Sequence, residues 1–240
     1  MSDSLQPIIA FDADDTLWPN EDYFRDGEKQ LIALLEPYYK GDNLLQHLYE
    51  QEIRNLHIFG YGAKGFTLSM IESLIELSEG KVTGADIQRV IDIGKSIMTY
   101  KIELLPGVKE TVETLRNDFG YKLMIITKGD LFDQESKIAR SGIADLFDIV
   151  EIVSEKDDAT YQKLLIKHQI DPQFFWMIGN SLKSDVLPIA RLGGHAVHIP
   201  YKSTWAHETV TAEHAAEHNY FELTDISGLP ILLEREIQGL

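Results

Sequence analysis

Three aspartates follow the first apolar segment of the sequence at very short spacing. The segment Ile8–Phe11 is apolar, and Asp12, Asp14 and Asp15 come directly after it. Carboxylates at the end of a buried strand are costly unless they are paired, hydrogen-bonded or bound to a metal ion. Oxygen-rich clusters suit hard cations such as Mg²⁺, which binds through one or two carboxylates and substrate phosphate. A turn or helix N-cap built from Asp and Thr is the structural alternative.

Two further apolar segments end in residues suited to an anionic ligand. Lys122–Thr127 is followed by Lys128 and Gly129, and a threonine hydroxyl with nearby backbone N–H groups can hold phosphate oxygens. Ile149–Val153 is followed by Lys156, whose ammonium could neutralise a nucleophile and a phosphoryl oxygen. A Thr-x-Gly turn and a solvated surface lysine are the structural alternatives.

The fourth segment, Phe175–Ile178, is the most apolar, and it leads into Gly179, Asn180 and then Asp185. Asp185 could complete a metal site begun by Asp12 and Asp14, although Asn and Asp are also common helix caps. Each of the four segments is ambiguous alone. Since parallel strands bring their carboxyl ends to one edge of a sheet, we expect the four to converge there.

The elements that must position these residues alternate between strands and helices. From Gly107 to Ile199, apolar runs alternate with segments of helical periodicity, and Ala196–Ile199 is the last predicted strand. This alternation predicts an α/β protein with a doubly wound parallel sheet covered on both faces.

A helical stretch interrupts this pattern. Residues 22–100 show helical periodicities and no convincing strand, and Leu105-Pro106-Gly107 marks the return to the α/β pattern. We therefore predict an α/β catalytic core at 1–21 and 101–240 and an inserted all-helical subdomain at 22–100. An insertion directly after the first strand is expected to roof a ligand site at the strand ends.

In order and content, the four segments resemble the motifs of the haloacid dehalogenase-like hydrolase superfamily, in its phosphatase branch. The resemblance runs from Ile8 to about Pro200 and implies a Rossmann-like core with an inserted helical cap. It also implies that Asp12 is the nucleophile and that Asp14 is the general acid/base. Asp14 would lend its backbone carbonyl to Mg²⁺ as well, and Asp12 and Asp185 would be the other metal ligands.

The resemblance further implies that Thr127, with Lys128 and Gly129, binds phosphate, and that Lys156 stabilises charge. The fourth motif departs from the common Gly-Asp start, because Asn180 follows Gly179 and brings no charge. We expect Asn180, like Thr16, to lie beside the metal ligands and not on the metal.

The expected function is therefore Mg²⁺-dependent hydrolysis of a small phosphorylated metabolite through an aspartyl-phosphate, since an enclosing roof would exclude proteins as substrates. Trp18 lies so close to Asp12 and Asp14 in sequence that we expect it to contact the substrate. Dehalogenation of a 2-halo acid is an alternative, but it needs no leaving-group acid, and Asp14 argues against it. A catalytically decayed binding domain is the other alternative.

Composition limits the partners. Acidic residues outnumber basic ones 39 to 22, and a formal charge of −17 disfavours nucleic acid and anionic membranes as partners. There is no cysteine, the N-terminal segment lacks the features of a signal peptide, and no apolar run reaches membrane-spanning length. We expect a cytoplasmic monomer or homodimer. His214 and His218, four residues apart, are expected on a solvated helix and not at a metal.

Overall fold

The computed structural model describes residues 6–203, 205–211 and 218–237. Its sheet has six parallel strands, in the order β3-β2-β1-β4-β5-β6. The strands are β1 (Ile8–Phe11), β2 (Lys122–Lys128), β3 (Ile149–Val153), β4 (Phe175–Gly179), β5 (His195–His198) and β6 (Phe221–Glu222). This strand order is that of the doubly wound fold, so the predicted fold class is confirmed. His214 lies outside the described residues.

Nine α-helices lie within the described ranges. They are α1 (Glu21–Leu35), α2 (Leu44–Phe59), α3 (Ala63–Leu77), α4 (Gly84–Thr99), α5 (Val108–Asn117), α6 (Leu131–Arg140), α7 (Asp158–His168), α8 (Leu187–Arg191) and α9 (Leu229–Ile237). No helix of this described part has the length and apolar character that crossing a membrane requires.

The sheet is buried on both sides, which is why its strands read as apolar runs and not as alternating patterns. On one face, Ala10, Met124 and Met177 pack in one cluster with residues of α7 and α8. Alternate strand residues such as Ile9 and Phe11 are equally buried, and α5 contacts both β2 and α9. The core is therefore one sheet with apolar packing on each of its faces.

The chain divides into two compact units. The first comprises residues 1–21, 102–128 and 135–240, and the second comprises 22–101 and 129–134. The second unit contains α1 to α4, and its own apolar core is formed by Leu31, Leu35, Phe66, Met70, Leu74, Val90 and Ile93. Helix α4 begins at a capping box in which Thr83 and Asp86 satisfy each other's backbone N–H groups.

Strand order places β1 between β2 and β4. The residues Ile8 and Phe11 pair with Lys122 and Ile125 on one side, and with Phe175 and Ile178 on the other. The chain reverses its direction of travel across the sheet at this point, and ligands of doubly wound proteins bind beyond the strand ends there.

Candidate active site

Asp12 lies at the end of β1 and is held by both backbone and side chain. Its N–H donates to the carbonyl of Ile178 at 2.8 Å, so the residue still belongs to the hydrogen-bonding pattern of the sheet. Its carboxylate accepts from Lys156 Nζ at Oδ1, 2.5 Å away, and from Thr16 Oγ1 at Oδ2, 3.0 Å away. The predicted nucleophile is thus buried but fixed by two donors.

Lys156 joins the ends of two further elements to Asp12. Its Nζ also lies 2.7 Å from Asp185 Oδ1, and its side chain is almost completely buried. The residue precedes Asp157, which caps α7 by accepting from the N–H of Thr160 at 2.8 Å. A buried ammonium is stable only when it is paired, and here two carboxylates share it.

Asp185 is presented by a single π-helical turn, Leu182–Val186, directly after β4. Its Oδ2 accepts from the N–H of Ser181 at 3.0 Å. A Cβ at Gly179 would lie 2.2 Å from this same Oδ2, so only glycine leaves room for the carboxylate over the end of β4. The Gly-Asn start of the fourth motif therefore has a steric reason for its glycine.

The electrostatics of the three groups follow from their burial. Burial raises the pKa of Asp12 to about 7, and the charge of Asp185 acts in the same direction, while Lys156 opposes both. Burial disfavours the ammonium of Lys156, but the charges of Asp12 and Asp185 outweigh it and raise the pKa of the lysine. Two carboxylates against one ammonium leave an excess of negative charge that a cation would relieve.

The donor set fits Mg²⁺. Asp12 and Asp185 are hard oxygen donors, and Mg²⁺ characteristically uses one or two carboxylates with waters and phosphate oxygens. Over residues 6–203, 205–211 and 218–237, no three His, Cys, Asp or Glu side chains form a metal-binding group.

Thr127 lies near the carboxyl end of β2, and Gly129 comes directly after this strand. The Oγ1 of Thr127 is buried and has no hydrogen-bond partner within the described part of the chain. A buried hydroxyl without a partner is costly, which is understandable if a ligand oxygen completes it. Gly129 has a φ of 146°, which favours glycine, and a Cβ there would approach the side chain of Gln134 to 3.0 Å, so Gln134 would also have to shift.

Lys128 is engaged by protein groups. Its Nζ lies 2.7 Å from Glu208 Oε1, 3.2 Å from Ser184 Oγ and 3.3 Å from Glu155 Oε1. Glu208 in turn accepts from Ser181 and Ser184 at 2.6 and 2.5 Å. The ammonium predicted to bind phosphate thus holds the loop around Glu208 against the turn that carries Asp185.

Thr16, whose hydroxyl donates to Asp12, also contacts Asn180. The N–H of Asn180 donates to Thr16 Oγ1 at 3.1 Å, and the Oδ1 of Asn180 lies 3.3 Å from the same hydroxyl. Thr16 therefore connects the start of the fourth motif to the Asp12 carboxylate.

Asp14 and Trp18 contact each other, but Trp18 has no exposed surface. Its indole N–H donates to Asp14 Oδ1 at 2.8 Å. A fully buried ring has no face for a ligand, so in this structure Trp18 supports Asp14 and does not line a surface open to a substrate. The sequence motifs did not identify Lys137, whose ammonium also contacts Asp14, or Glu208.

The carboxyl edge of the doubly wound sheet thus carries the carboxylates of Asp12 and Asp185 with the ammonium of Lys156 between them. It also carries the buried Thr127 hydroxyl, which has no hydrogen-bond partner among the described residues. The sequence matches the family model of the haloacid dehalogenase-like hydrolases over residues 7–193. The chain belongs to this family, so the predicted superfamily and the prediction of a hydrolase are confirmed.

Solved structures show the same fold. A haloacid dehalogenase-like family hydrolase from Xanthomonas campestris is 42% identical, with a TM-score of 0.85 over 98% of this chain and 93% of that one. A 2-haloacid dehalogenase from Pseudomonas syringae pv. Tomato is 20% identical, with a TM-score of 0.63 over 96% and 99% of the two chains. At the latter identity the similarity concerns the fold alone.

Two curated relatives are both named glyceraldehyde 3-phosphate phosphatase. The one from Pyrococcus abyssi is 32% identical over 102 residues, which are 40% of this chain and 42% of its own length. The one from Pyrococcus furiosus is 29% identical over 150 residues, or 60% and 59%. The chain therefore matches only about half of the length of these relatives, whose names agree with the predicted phosphatase branch.

Proposed function

We propose that this protein is a Mg²⁺-dependent phosphohydrolase that removes the phosphoryl group from a small metabolite. The observation that carries the proposal is the buried ammonium of Lys156 between the carboxylates of Asp12 and Asp185, at 2.5 and 2.7 Å. This arrangement holds a carboxylate nucleophile in place and balances part of its charge. It serves phosphoryl transfer, which depends mainly on positioning and charge stabilisation.

In the first step, an Asp12 carboxylate oxygen attacks phosphorus. The new O–P bond forms as the bond from phosphorus to the ester oxygen breaks, and Asp14 donates a proton to that leaving oxygen. In the second step, Asp14 accepts a proton from water, whose oxygen attacks the phosphorus of the aspartyl-phosphate. The bond from phosphorus to the Asp12 oxygen breaks, which releases inorganic phosphate and restores the Asp12 carboxylate. Two successive displacements, each with acid or base assistance, replace one harder displacement.

Thr127 and Lys156 would bind the phosphoryl oxygens. The buried hydroxyl of Thr127 gains an acceptor when a phosphoryl oxygen is present, and the Lys156 ammonium faces the same strand ends. Asp12, Asp185 and the backbone carbonyl of Asp14 would hold the metal. When bound, Mg²⁺ supplies positive charge that favours the ionised form of Asp12 and offsets the repulsion between a phosphate ester and an acidic protein.

The proposal is tested by measuring the release of inorganic phosphate from p-nitrophenyl phosphate. The parent protein and Asp12→Asn are each assayed with Mg²⁺ and with a chelator. We expect metal-dependent release by the parent protein and none by the variant. A phosphoryl group covalently bound to Asp12 should be detected on the parent protein alone. The matched control is Asp118→Asn, which changes an exposed carboxylate at the end of α5 and should leave the activity intact. Undiminished release by Asp12→Asn would refute the assignment of the nucleophile.

The names of the curated relatives suggest which metabolites to test first. Glyceraldehyde 3-phosphate and related triose phosphates are small phosphate monoesters, and they fit the expected substrate class. We propose a screen that compares these with hexose phosphates and nucleoside monophosphates at equal concentration. A higher kcat/KM for the triose phosphates would support the narrower substrate class.

A further inference from the structure

Lys137, on α6, is a buried lysine that none of the four motifs contains. Its side chain is only 2% exposed. Its Nζ lies 3.1 and 3.0 Å from Oδ1 and Oδ2 of Asp14 and 2.8 Å from Oδ1 of Asn20. A lysine is almost never buried without partners, and an ammonium has three protons to donate. The burial of Lys137 is therefore explained by the acceptors that surround it.

The carboxylate of Asp14 is held from two directions. Lys137 contacts both of its oxygens, and the indole N–H of Trp18 donates to Oδ1 at 2.8 Å. Trp18 is fully buried, so its ring cannot turn freely, and its N–H is a fixed donor. These contacts together define the direction in which the Asp14 carboxylate lies.

We propose that Lys137 is a positioning residue for the general acid/base Asp14, a role that rests on the proposed function. Lys137 acts through Asp14: it fixes the Asp14 carboxylate, with Trp18 as the second anchor. A proton-transfer group is effective only within hydrogen-bond reach of the atom that it protonates, so loss of the anchor should weaken general acid catalysis specifically. A lysine serving only the fold would affect all substrates alike.

The test compares two aryl phosphates of similar shape that differ in their need for acid assistance. Phenyl phosphate releases a basic phenoxide, whereas p-nitrophenyl phosphate releases a stable anion that needs little protonation. We expect Lys137→Met to lower kcat/KM for phenyl phosphate at least about 10-fold more than for p-nitrophenyl phosphate, since general acid catalysis contributes about 10²–10⁴-fold. Asp14→Asn should show the same selective loss.

Two further variants separate positioning from folding. Lys137→Arg keeps the positive charge and should recover part of the loss on phenyl phosphate. Asn20→Ala removes one of the acceptors named above and should give a smaller loss with the same selectivity, which provides a readout if Lys137→Met does not fold. Lys167→Met, at a lysine 60% exposed, is the surface control and should change neither rate.

Equal losses on the two esters, or no loss, in the folded Lys137 variants would overturn the role of Lys137. If Asp14→Asn shows the selective loss and both Lys137→Met and Asn20→Ala do not, only the positioning role fails. If the parent protein hydrolyses neither ester and none of the triose, hexose and nucleoside phosphates of the screen, the proposed function fails and the role of Lys137 falls with it.

Discussion

The contact between Lys128 and Glu208 gives a prediction about stability that does not depend on catalysis. Glu208 has a side chain only 13% exposed, and it accepts from Lys128, Ser181 and Ser184. The change Glu208→Gln keeps the shape of the side chain and removes its charge. We expect it to destabilise the first compact unit, because Lys128 then loses its nearest counter-charge in a buried position.

The magnitude follows from the pKa of Glu208. Although burial alone would raise it, the charge of Lys128 and the hydrogen bonds from Lys128, Ser181 and Ser184 lower the pKa of Glu208 from 4.5 to about 2. A difference of this size corresponds to about 3 kcal/mol in the free energy of unfolding at neutral pH. Such a loss is a large part of the roughly 5–15 kcal/mol that is typical of the free energy of unfolding of a whole protein.

The sign of the pH dependence also follows. Since folding lowers the pKa of Glu208, its stabilisation is present above the ordinary value of 4.5 and is lost as the pH falls through about 2. The parent protein should therefore be about 3 kcal/mol more stable than Glu208→Gln at neutral pH, and this difference should fall below about half near pH 3.

Urea unfolding at the two pH values, followed by tryptophan fluorescence, measures this difference. Trp18, Trp176 and Trp205 are the three tryptophans of the sequence, and all belong to the unit that contains Glu208. The fluorescence therefore reports the unit in which the change is made. A transition of the helical unit would not distort the result unless the two unfold together.

Glu155→Gln is the matched control. Glu155 contacts the same ammonium at 3.3 Å, but its side chain is 45% exposed, so we expect a loss of at most about 1 kcal/mol. Equal losses in the two variants, or a Glu208→Gln loss that is the same at both pH values, would refute the reasoning from burial and pKa.

Three further outcomes are expected. Gly179→Ala would introduce a Cβ 2.2 Å from Asp185 Oδ2, so the carboxylate must move. We expect a loss of stability of about 1–3 kcal/mol and a higher Mg²⁺ concentration for half-maximal activity. An unchanged Mg²⁺ requirement would contradict the steric explanation. Thr127→Val removes a buried hydroxyl that has no partner in the described residues. The urea midpoint should therefore stay the same or rise, while kcat/KM for p-nitrophenyl phosphate should fall. A clear loss of stability would mean that the hydroxyl serves the fold. Asp15 has a φ of 63° and accepts from the N–H groups of Asn20 and Glu21. Asp15→Ala should therefore lower the free energy of unfolding by about 1–2 kcal/mol in thermal unfolding, and Asp15→Asn, in which asparagine tolerates this φ, should lower it less. A larger loss in Asp15→Asn than in Asp15→Ala would contradict this reasoning.

The strands that carry the candidate site could be predicted from the sequence because they are buried on both faces. The predicted segments Ile8–Phe11 and Ile149–Val153 coincide with β1 and β3, and the other three agree with β2, β4 and β5 to within one residue at each end. The two-residue strand β6 could not be predicted, because Phe221–Glu222 is too short to show any periodicity.

The residues around Asp14 could not be predicted, because α6 reverses the usual pattern of burial. Leu131 and Phe132 are exposed, whereas Asp133, Gln134 and Lys137 are buried. A sequence with these residues is expected to face the core with its apolar side and solvent with its charges. The partner of Lys137 lies more than a hundred positions away in sequence, so no local pattern could reveal it.

Glu208 was missed for a different reason. It follows β5 in a loop that contains one short 3-10 turn, Ala206–Glu208, and a glutamate there resembles any solvated charge. Its importance comes from Lys128, Ser181 and Ser184, which belong to two other segments of the chain. Such a cluster depends on tertiary packing, so one sequence without structural information does not indicate it.

The position of the helical unit in the chain affects how the sequence can evolve. The neighbouring strands β1 and β2 pair in register, Ile8 with Lys122, although about 110 residues separate them. Loop-closure entropy grows only with the logarithm of loop length, so an insert of this size costs the pairing about 1 kcal/mol more than a short crossover would. Because the insert has its own apolar core, most of its sequence can be replaced or lengthened at small cost to the sheet. The strand-end residues of the first unit and the sequence of the helical insert can therefore diverge at different rates.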